Sequence, residues 1–278
     1  MMRWLDLHTE VTKMINAPQI VEIKDIVSET PTIKTFKFDW DSDKFGKVNP
    51  GEFLMIWNFF DEKPMSISNI GDNELSISVK SIGEFTSQLH DLKIGDKFGV
   101  RGSYGNGFNT DFKGKKLLVI GGGVGMAPVT ALTHKLIENN DVDVLVAATT
   151  KEELLFLDDL KNVGANVHPC TDDGSFGFKG YASDCLSSLL EDSTYDYAFV
   201  CGPEIMMIGI FNILEDAGIL ADYSLERYMK CALGVCGQCC VDNTGWRICM
   251  EGPVFNSEKI RLIEEFGKYR RDASGVKY

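Results

Sequence analysis

From residue 17 to about residue 111 the apolar positions fall in short runs. QIVEIKDIV, TIKTFKFDW, EFLMIWNFF, MSISNI, LSISVKSI and KFGVRGS are rich in β-branched and aromatic residues and are divided by Gly, Pro, Asn or Asp. Several short strands at that spacing predict an antiparallel β-barrel or sandwich. One helix is expected among them, beginning near Thr86 and running through SQLHDL. At about Lys113 the period changes. KKLLVIGGG reads as a buried strand that ends in glycines, and APVTALTHKLIENN then has helical periodicity. VDVLVAATT, NVHPCTDD and YDYAFVCG read as further strands, alternating with helices over ELLFLDDLKNVG, SDCLSSLLED and PEIMMIGIFNILEDAG. That alternation predicts an α/β domain built on a doubly wound parallel sheet. Residues 1–16, MMRWLDLHTEVTKMIN, read as a short amphipathic helix ahead of the Pro18 break. The expected organisation is an N-terminal extension (1–16), a β-barrel (17–111), an α/β domain (112–222) and a small cysteine-rich domain with its tail (223–278).

The last segment carries the densest chemistry. It contains CALGVCGQCCVDNTGWRICMEGPVF, and five of the chain's eight cysteines lie between Cys231 and Cys249. Cys231, Cys236 and Cys239 give C-x4-C-x2-C, with Cys249 following separately. This is the spacing of plant-type [2Fe–2S] ligands. Small residues at Ala232, Gly234 and Gly237 would let backbone amides approach the sulfurs and stabilise the cluster's negative charge. A structural zinc site would use paired C-x2-C knuckles, and only one such pair involves these ligands. Buried thiols without a metal are the other alternative. Cys240 is the spare, expected to point away as a small buried side chain, and Cys170, Cys185 and Cys201 read as core.

Two strand ends upstream suggest a nucleotide. KKLLVI runs into Gly121, Gly122, Gly123 and Gly125 just before a helix, where backbone amides would meet a pyrophosphate. A plain tight turn would use glycine equally well. Cys201-Gly202-Pro203 closes the last strand of the alternating region, and open α/β sheets bind ligands at the carboxyl ends of their strands. Two such ends in one sheet fit a nicotinamide dinucleotide in an extended pose. Glu152 and Glu153 follow the second strand and would repel a 2′-phosphate, which favours NAD over NADP.

Composition narrows the remaining classes. The 278 residues are about two domains' worth at roughly 150 residues each. With 44% apolar and 25% charged residues the chain is an ordinary globular one, not disordered or fibrous. A net charge of −13 argues against nucleic acid or an anionic membrane as a partner. No apolar run is long enough for a transmembrane helix, and the first 16 residues lack the apolar core of a signal peptide. A cytoplasmic location is expected, where cysteines stay reduced. His8, His90, His134 and His168 have no carboxylate or cysteine partner evident in the sequence and read as surface or core.

A barrel followed by a sheet carrying GGGVGMAP and CGPEIMM resembles the ferredoxin–NADP reductase family over residues 17 to about 222. The resemblance implies FAD in the barrel. Lys63-Pro64-Met65-Ser66 stands where the family has R-P-x-S, lysine keeping the charge but losing arginine's bidentate fork. Taken alone, KPMS would read as a strand-entry proline. Gly83-Glu84-Phe85-Thr86 stands at the family's G-x-G-T turn, with Phe85 in place of glycine, and Thr86 is left to cap the following helix. Ser78, Val79 and Lys80 match the strand that lies along the flavin.

Four further stretches narrow the match: GSYGNGF (102–108), TDDGSFGFKGYASD (171–184), SLERYMKC (224–231) and ICMEGPVF (248–255). With the cysteine spacing they are similar to the electron-transfer subunits of NAD-dependent dihydroorotate dehydrogenase B, over roughly residues 17–260. That family implies FAD, NAD and one [2Fe–2S] cluster held by Cys231, Cys236, Cys239 and Cys249. It also implies an FMN-bearing catalytic partner subunit in a heterotetramer with two of each chain. Electrons would run from the partner's FMN through the cluster to FAD and then NAD⁺, in pyrimidine biosynthesis, a route that needs no catalytic acid or base on this chain. Subunits of anaerobic sulfite reductases and cytoplasmic hydrogenases share the layout, including the SLER and MKC stretches, whereas DDGSFGFKG and GSYGNGF favour the dihydroorotate family. A stand-alone NAD(P)H–ferredoxin reductase and a nucleotide-responsive binding module without turnover are the competing classes.

Overall fold

In the computed structural model, residues 17–278 are described; the amphipathic helix expected over residues 1–16 lies outside them. Six antiparallel strands close a barrel: β1 (Gln19–Ser28), β2 (Ile33–Asp39), β3 (Phe53–Trp57), β4 (Glu62–Ile70), β5 (Glu74–Lys80) and β6 (Lys97–Tyr104), in the order β1-β2-β5-β4-β3-β6. Closure leaves no open edge. The interior is filled by one side of each strand, with Ile23, Phe36, Phe38, Leu54, Ile56, Ile67, Ile77, Phe98 and Val100 fully buried together. A short helix, α1 (Ser42–Phe45), follows β2 and is capped by the Asp41 carboxylate. The second helix, α2 (Glu84–His90), starts two residues before its expected place. Thr86 sits in its first turn and accepts the amides of Ile82 and Gly83 at 3.0 and 3.1 Å.

The alternating region forms a seven-stranded sheet. Its strands are β7 (Lys116–Gly122), β8 (Asp141–Ala148), β9 (Asn166–Thr171), β10 (Phe178–Lys179), β11 (Tyr197–Cys201), β12 (Ala221–Ser224) and β13 (Val254–Asn256). The order is β10-β9-β8-β7-β11-β12-β13, with every pair parallel except β12 with β13. KLLVI, VLV and AFV are apolar on both faces because helices cover both sides. These helices are α3 (Met126–Leu136), α4 (Leu157–Asn162), α5 (Ala182–Asp192) and α6 (Glu204–Asp216). Only the second half of the helix expected over ELLFLDDLKNVG is α-helical, because Phe156 takes a left-handed φ of 59° just before α4. The antiparallel edge strand β13 was not expected. It comes from the segment after Cys249, which stitches the cysteine-rich region to the sheet edge, and α7 (Ser257–Ile260) follows it. Among the described residues no helix is long and apolar enough to cross a membrane.

The strand order reverses between β7 and β11, whose carboxyl ends lie side by side. Gly125 allows that approach. A Cβ on it would lie 2.7 Å from the Cys201 carbonyl oxygen and 2.7 Å from the Gly202 backbone, neither of which can swing aside. Gly125→Ala is therefore expected to overpack the junction and cost about 1–3 kcal/mol, read as a lower urea midpoint with an unchanged slope.

Candidate functional site

A cleft of about 970 Å³ runs from the barrel across the sheet's reversal point to the chain linking β12 to the cysteines. Its size lies at the upper end of the roughly 300–1,000 Å³ span of ligand pockets, which suits an extended dinucleotide. The barrel wall supplies Lys63, Pro64, Met65 and Ser66 from β4, Ser78 and Lys80 from β5, and Phe85 and Thr86 from α2. The sheet supplies Gly122, Gly123, Gly125, Cys201, Gly202 and Pro203. The third wall is Ser224 to Met229, and Arg270 and Arg271 close one side. Fourteen of the sixteen nucleotide-contact residues expected from the sequence thus face one cavity. The other two do not: Val79 is buried in the barrel core, and Gly121 packs under Met126 and Val129.

Several of the wall residues have partners of their own. Lys63 Nζ pairs with Asp61 at 2.6 Å and lies 5.3 Å from the centre of the Tyr228 ring. Ser78 is tied to Thr35 and Ser68 at 2.7 and 2.9 Å, so its hydroxyl braces the barrel. The Phe85 ring packs into the barrel core beside Leu89. Cys201, expected to be core, is half-buried at the cleft, and burial pushes its thiol up to about 12. At neutral pH that strand end is uncharged.

Charge concentrates where the sheet meets the cysteine-rich region. Arg227, from the SLER stretch, has a side chain only 4% exposed. Its Nη1 and Nη2 donate to the two Glu204 oxygens at 2.8 and 3.0 Å, and its Nε donates to Glu265 at 2.7 Å. Desolvation opposes its charge, but the two carboxylates outweigh that and hold it charged. Glu204 opens α6 directly after Cys201-Gly202-Pro203, and also accepts the Gly267 amide. The second Glu265 oxygen accepts the Asp242 amide, three residues after Cys239. This network was not foreseen, because its members are far apart in sequence and each alone reads as a surface charge.

The expected cluster ligands form two pairs. Cys231 lies against Cys236, and Cys239 against Cys249. Four thiols in two adjacent pairs are the donor number and type that a [2Fe–2S] group takes. Burial would raise the Cys231 thiol, but the amides of Leu233, Cys236 and Val235 and the Cys236 thiol bring it down to about 6. Backbone amides aimed at sulfur are what an anionic cluster requires. Burial pushes Cys239 up to about 12 against the pull of the Cys249 amide. Gly234 permits the tight loop, since a Cβ there would lie 2.6 Å from the Met250 side chain. Cys240 is half-buried and bridges by its backbone to Arg247, while Cys170 and Cys185 are buried against each other.

Folding gives two of the histidines carboxylate neighbours that the sequence does not show. His134 Nε2 meets Asp159 at 2.8 Å, and His168 Nε2 stands 3.7 Å from Asp143, carboxylates brought close only by folding. His90 contacts the Val79 carbonyl, and none of these three lines the cleft.

A family model described as the iron-sulfur cluster binding domain of dihydroorotate dehydrogenase B matches residues 226–261. Another, described as an oxidoreductase NAD-binding domain, matches residues 119–210. A probable dihydroorotate dehydrogenase B (NAD(+)) electron transfer subunit from Methanothermobacter thermautotrophicus is 51% identical, covering 94% of this chain and 97% of its own. The chain belongs to that family. The same-named protein of Methanocaldococcus jannaschii is 46% identical, over 94% of this chain and 98% of its own. Among solved structures, one of an NADH-dependent reduced ferredoxin-NADP oxidoreductase, studied for flavin-based electron bifurcation, aligns with a TM-score of 0.79. It is 26% identical and covers 90% of this chain and 94% of that one. A ferredoxin NADP+ reductase from Neisseria gonorrhoeae shares the fold at a TM-score of 0.63 and 19% identity, over 72% of this chain and 92% of that one.

Arg227→Met would leave Glu204 and Glu265 buried without their main counter-charge. A loss of about 3–5 kcal/mol is expected, measured by urea unfolding against the parent chain.

Proposed function

We propose that this chain is the electron-transfer subunit of an NAD-dependent dihydroorotate dehydrogenase B, with FAD, NAD and one [2Fe–2S] cluster. The observation that carries the reading is the shared cleft. The flavin-type motif of β4, the two glycine-bearing strand ends and the linker to the cysteines all line it. A flavin supplies the junction between two-electron hydride chemistry and one-electron iron–sulfur chemistry.

The chain's own residues bind and orient. Lys63 to Ser66, Ser78, Lys80 and the Phe85-Thr86 turn would hold FAD, with Lys63 directed at its pyrophosphate. Gly122, Gly123, Gly125 and Cys201-Gly202-Pro203 would hold NAD, their small side chains admitting the nicotinamide end. Glu152, Glu153, Asp172 and Asp173 gather beyond the ends of β8 and β9, where a 2′-phosphate would be repelled; burial and the neighbouring Asp173 and Glu153 raise the Asp172 carboxyl. Cys231 with Cys236 and Cys239 with Cys249 would hold the cluster, which supplies the one-electron step. The functional units are 17–111 for FAD, 112–222 for NAD and 223–278 for the cluster. The catalytic partner carries FMN and joins this chain in a cytoplasmic heterotetramer with two of each. No residue here is asked to act as acid or base on dihydroorotate.

Anaerobic absorbance of the purified chain tests this. Flavin and cluster bands should both bleach on titration with NADH, and the chain should pass electrons from NADH to artificial acceptors while ignoring dihydroorotate. Addition of the catalytic subunit should confer dihydroorotate oxidation. Dihydroorotate turnover by the isolated chain would overturn the reading. Serine at any one of Cys231, Cys236, Cys239 or Cys249 should reduce cluster iron and sulfide severalfold, whereas Cys240→Ala should leave both unchanged.

A further inference from the structure

Arg101 lies on β6, outside the cleft, with a side chain only 10% exposed. Its Nε and Nη2 meet the two oxygens of Glu62 at 2.6 and 2.5 Å. Glu62 directly precedes Lys63 on β4. Both strands flank β3, where Glu62 pairs with Trp57 and Arg101 with Met55. The remaining nitrogen, Nη1, donates to the Tyr104 hydroxyl at 3.1 Å and to the backbone carbonyl of Cys231 at 3.0 Å, across 130 residues of sequence. A guanidinium is the one side chain with enough fixed donors to clamp a carboxylate and a distant carbonyl together.

The carbonyl it holds starts the turn that matters most at the first cysteine. Ala232 follows in a left-handed conformation (φ 57°), and Leu233 then returns its amide to Cys231 Sγ at 3.3 Å. Fixing the Cys231 carbonyl fixes the direction of the amides that follow it. Resting on the cluster reading above, the geometry points to Arg101 as a positioning residue that joins the flavin-side barrel to the cluster loop and sets the cluster's reduction potential.

Two substitutions should act in opposite directions. Reduction adds a negative charge to the cluster, which nearby positive charge and well-aimed amides favour. Arg101→Met releases the Cys231 carbonyl and leaves Glu62 without its counter-charge, so reduction becomes harder. Glu62→Gln leaves Arg101 on the carbonyl with its charge uncompensated, so reduction becomes easier. Each change is expected to alter the reduction equilibrium roughly tenfold, about 59 mV for one electron. Arg101→Lys, which keeps charge without the fork, should restore only part of the Arg101→Met shift.

The experiment is a redox titration of the full chain followed by EPR of the reduced cluster, with iron and sulfide measured on each sample. Parent-like iron and sulfide, opposite shifts in Arg101→Met and Glu62→Gln, and altered g-values in Arg101→Met support the proposal. Parent-like potentials and g-values in both variants overturn it, leaving Arg101 a barrel brace. If Arg101→Met does not fold, Arg101→Lys decides: a negative shift with altered g-values supports the proposal, and a parent-like potential and g-values overturn it. A parent chain without iron and sulfide after anaerobic reconstitution would instead overturn the cluster reading.

Discussion

The arrangement of the three parts depends on one buried ion group. Arg227 sits between Glu204 and Glu265 with all three side chains no more than 8% exposed. Removing such charges from water costs several kcal/mol per ion, and the attraction offsets that only when geometry is good and the remaining polar atoms are satisfied. Here they are, through Gly267, Asp242, Arg270 and Arg271. The group contributes little as raw stability relative to an apolar plug of equal volume. Its effect is on register. Glu204 opens the helix behind the glycine-bearing strand end, Arg227 lies in the linker, and Glu265 braces the backbone just past the third cysteine. Sliding any one of them by a residue leaves a buried charge unpaired.

That constraint explains why the cysteine-rich region is not a tethered appendage. β13 extends the sheet beside β12, and Asn106 hydrogen-bonds through its amide and side chain to Gly252 and Met250. Together with Arg227, these contacts hold the region against both the sheet and the barrel. One-electron transfer between a cluster and a flavin requires a fixed separation, and a cysteine loop packed against sheet and barrel is the arrangement that would provide one.

Much of this was legible in the sequence, for reasons that differ by element. The barrel strands announced themselves through alternation and turn residues. The central sheet strands did so through continuous apolar runs such as KLLVI, and Gly125 through its place at a strand end. Cysteine spacing pointed to the four thiols that the fold brings into two pairs. What escaped was long-range. Arg101 and Cys231 are 130 residues apart, and Glu204 and Gly267 are 63 apart, with no local period to connect them. The His134–Asp159 and His168–Asp143 contacts were missed for the same reason. β13 is three residues long, too short for alternation to register. Local pattern finds elements; it does not find the charges that lock them together.

Lys63 stands where the R-P-x-S pattern has arginine. An arginine at position 63 would present a planar fork to a pyrophosphate, fixed in direction. Lys63 presents a mobile point charge, and here it rests on Asp61, whose side chain is 58% exposed. An ion pair that open to water contributes only about 0–1 kcal/mol. Asp61 therefore screens Lys63 in a strongly acidic chain without trapping it. A diphosphate carries more charge than one carboxylate and would compete with Asp61 for this cation. The departure from arginine keeps a cation on the cleft wall and exchanges a rigid fork for a point charge in a water-weakened ion pair.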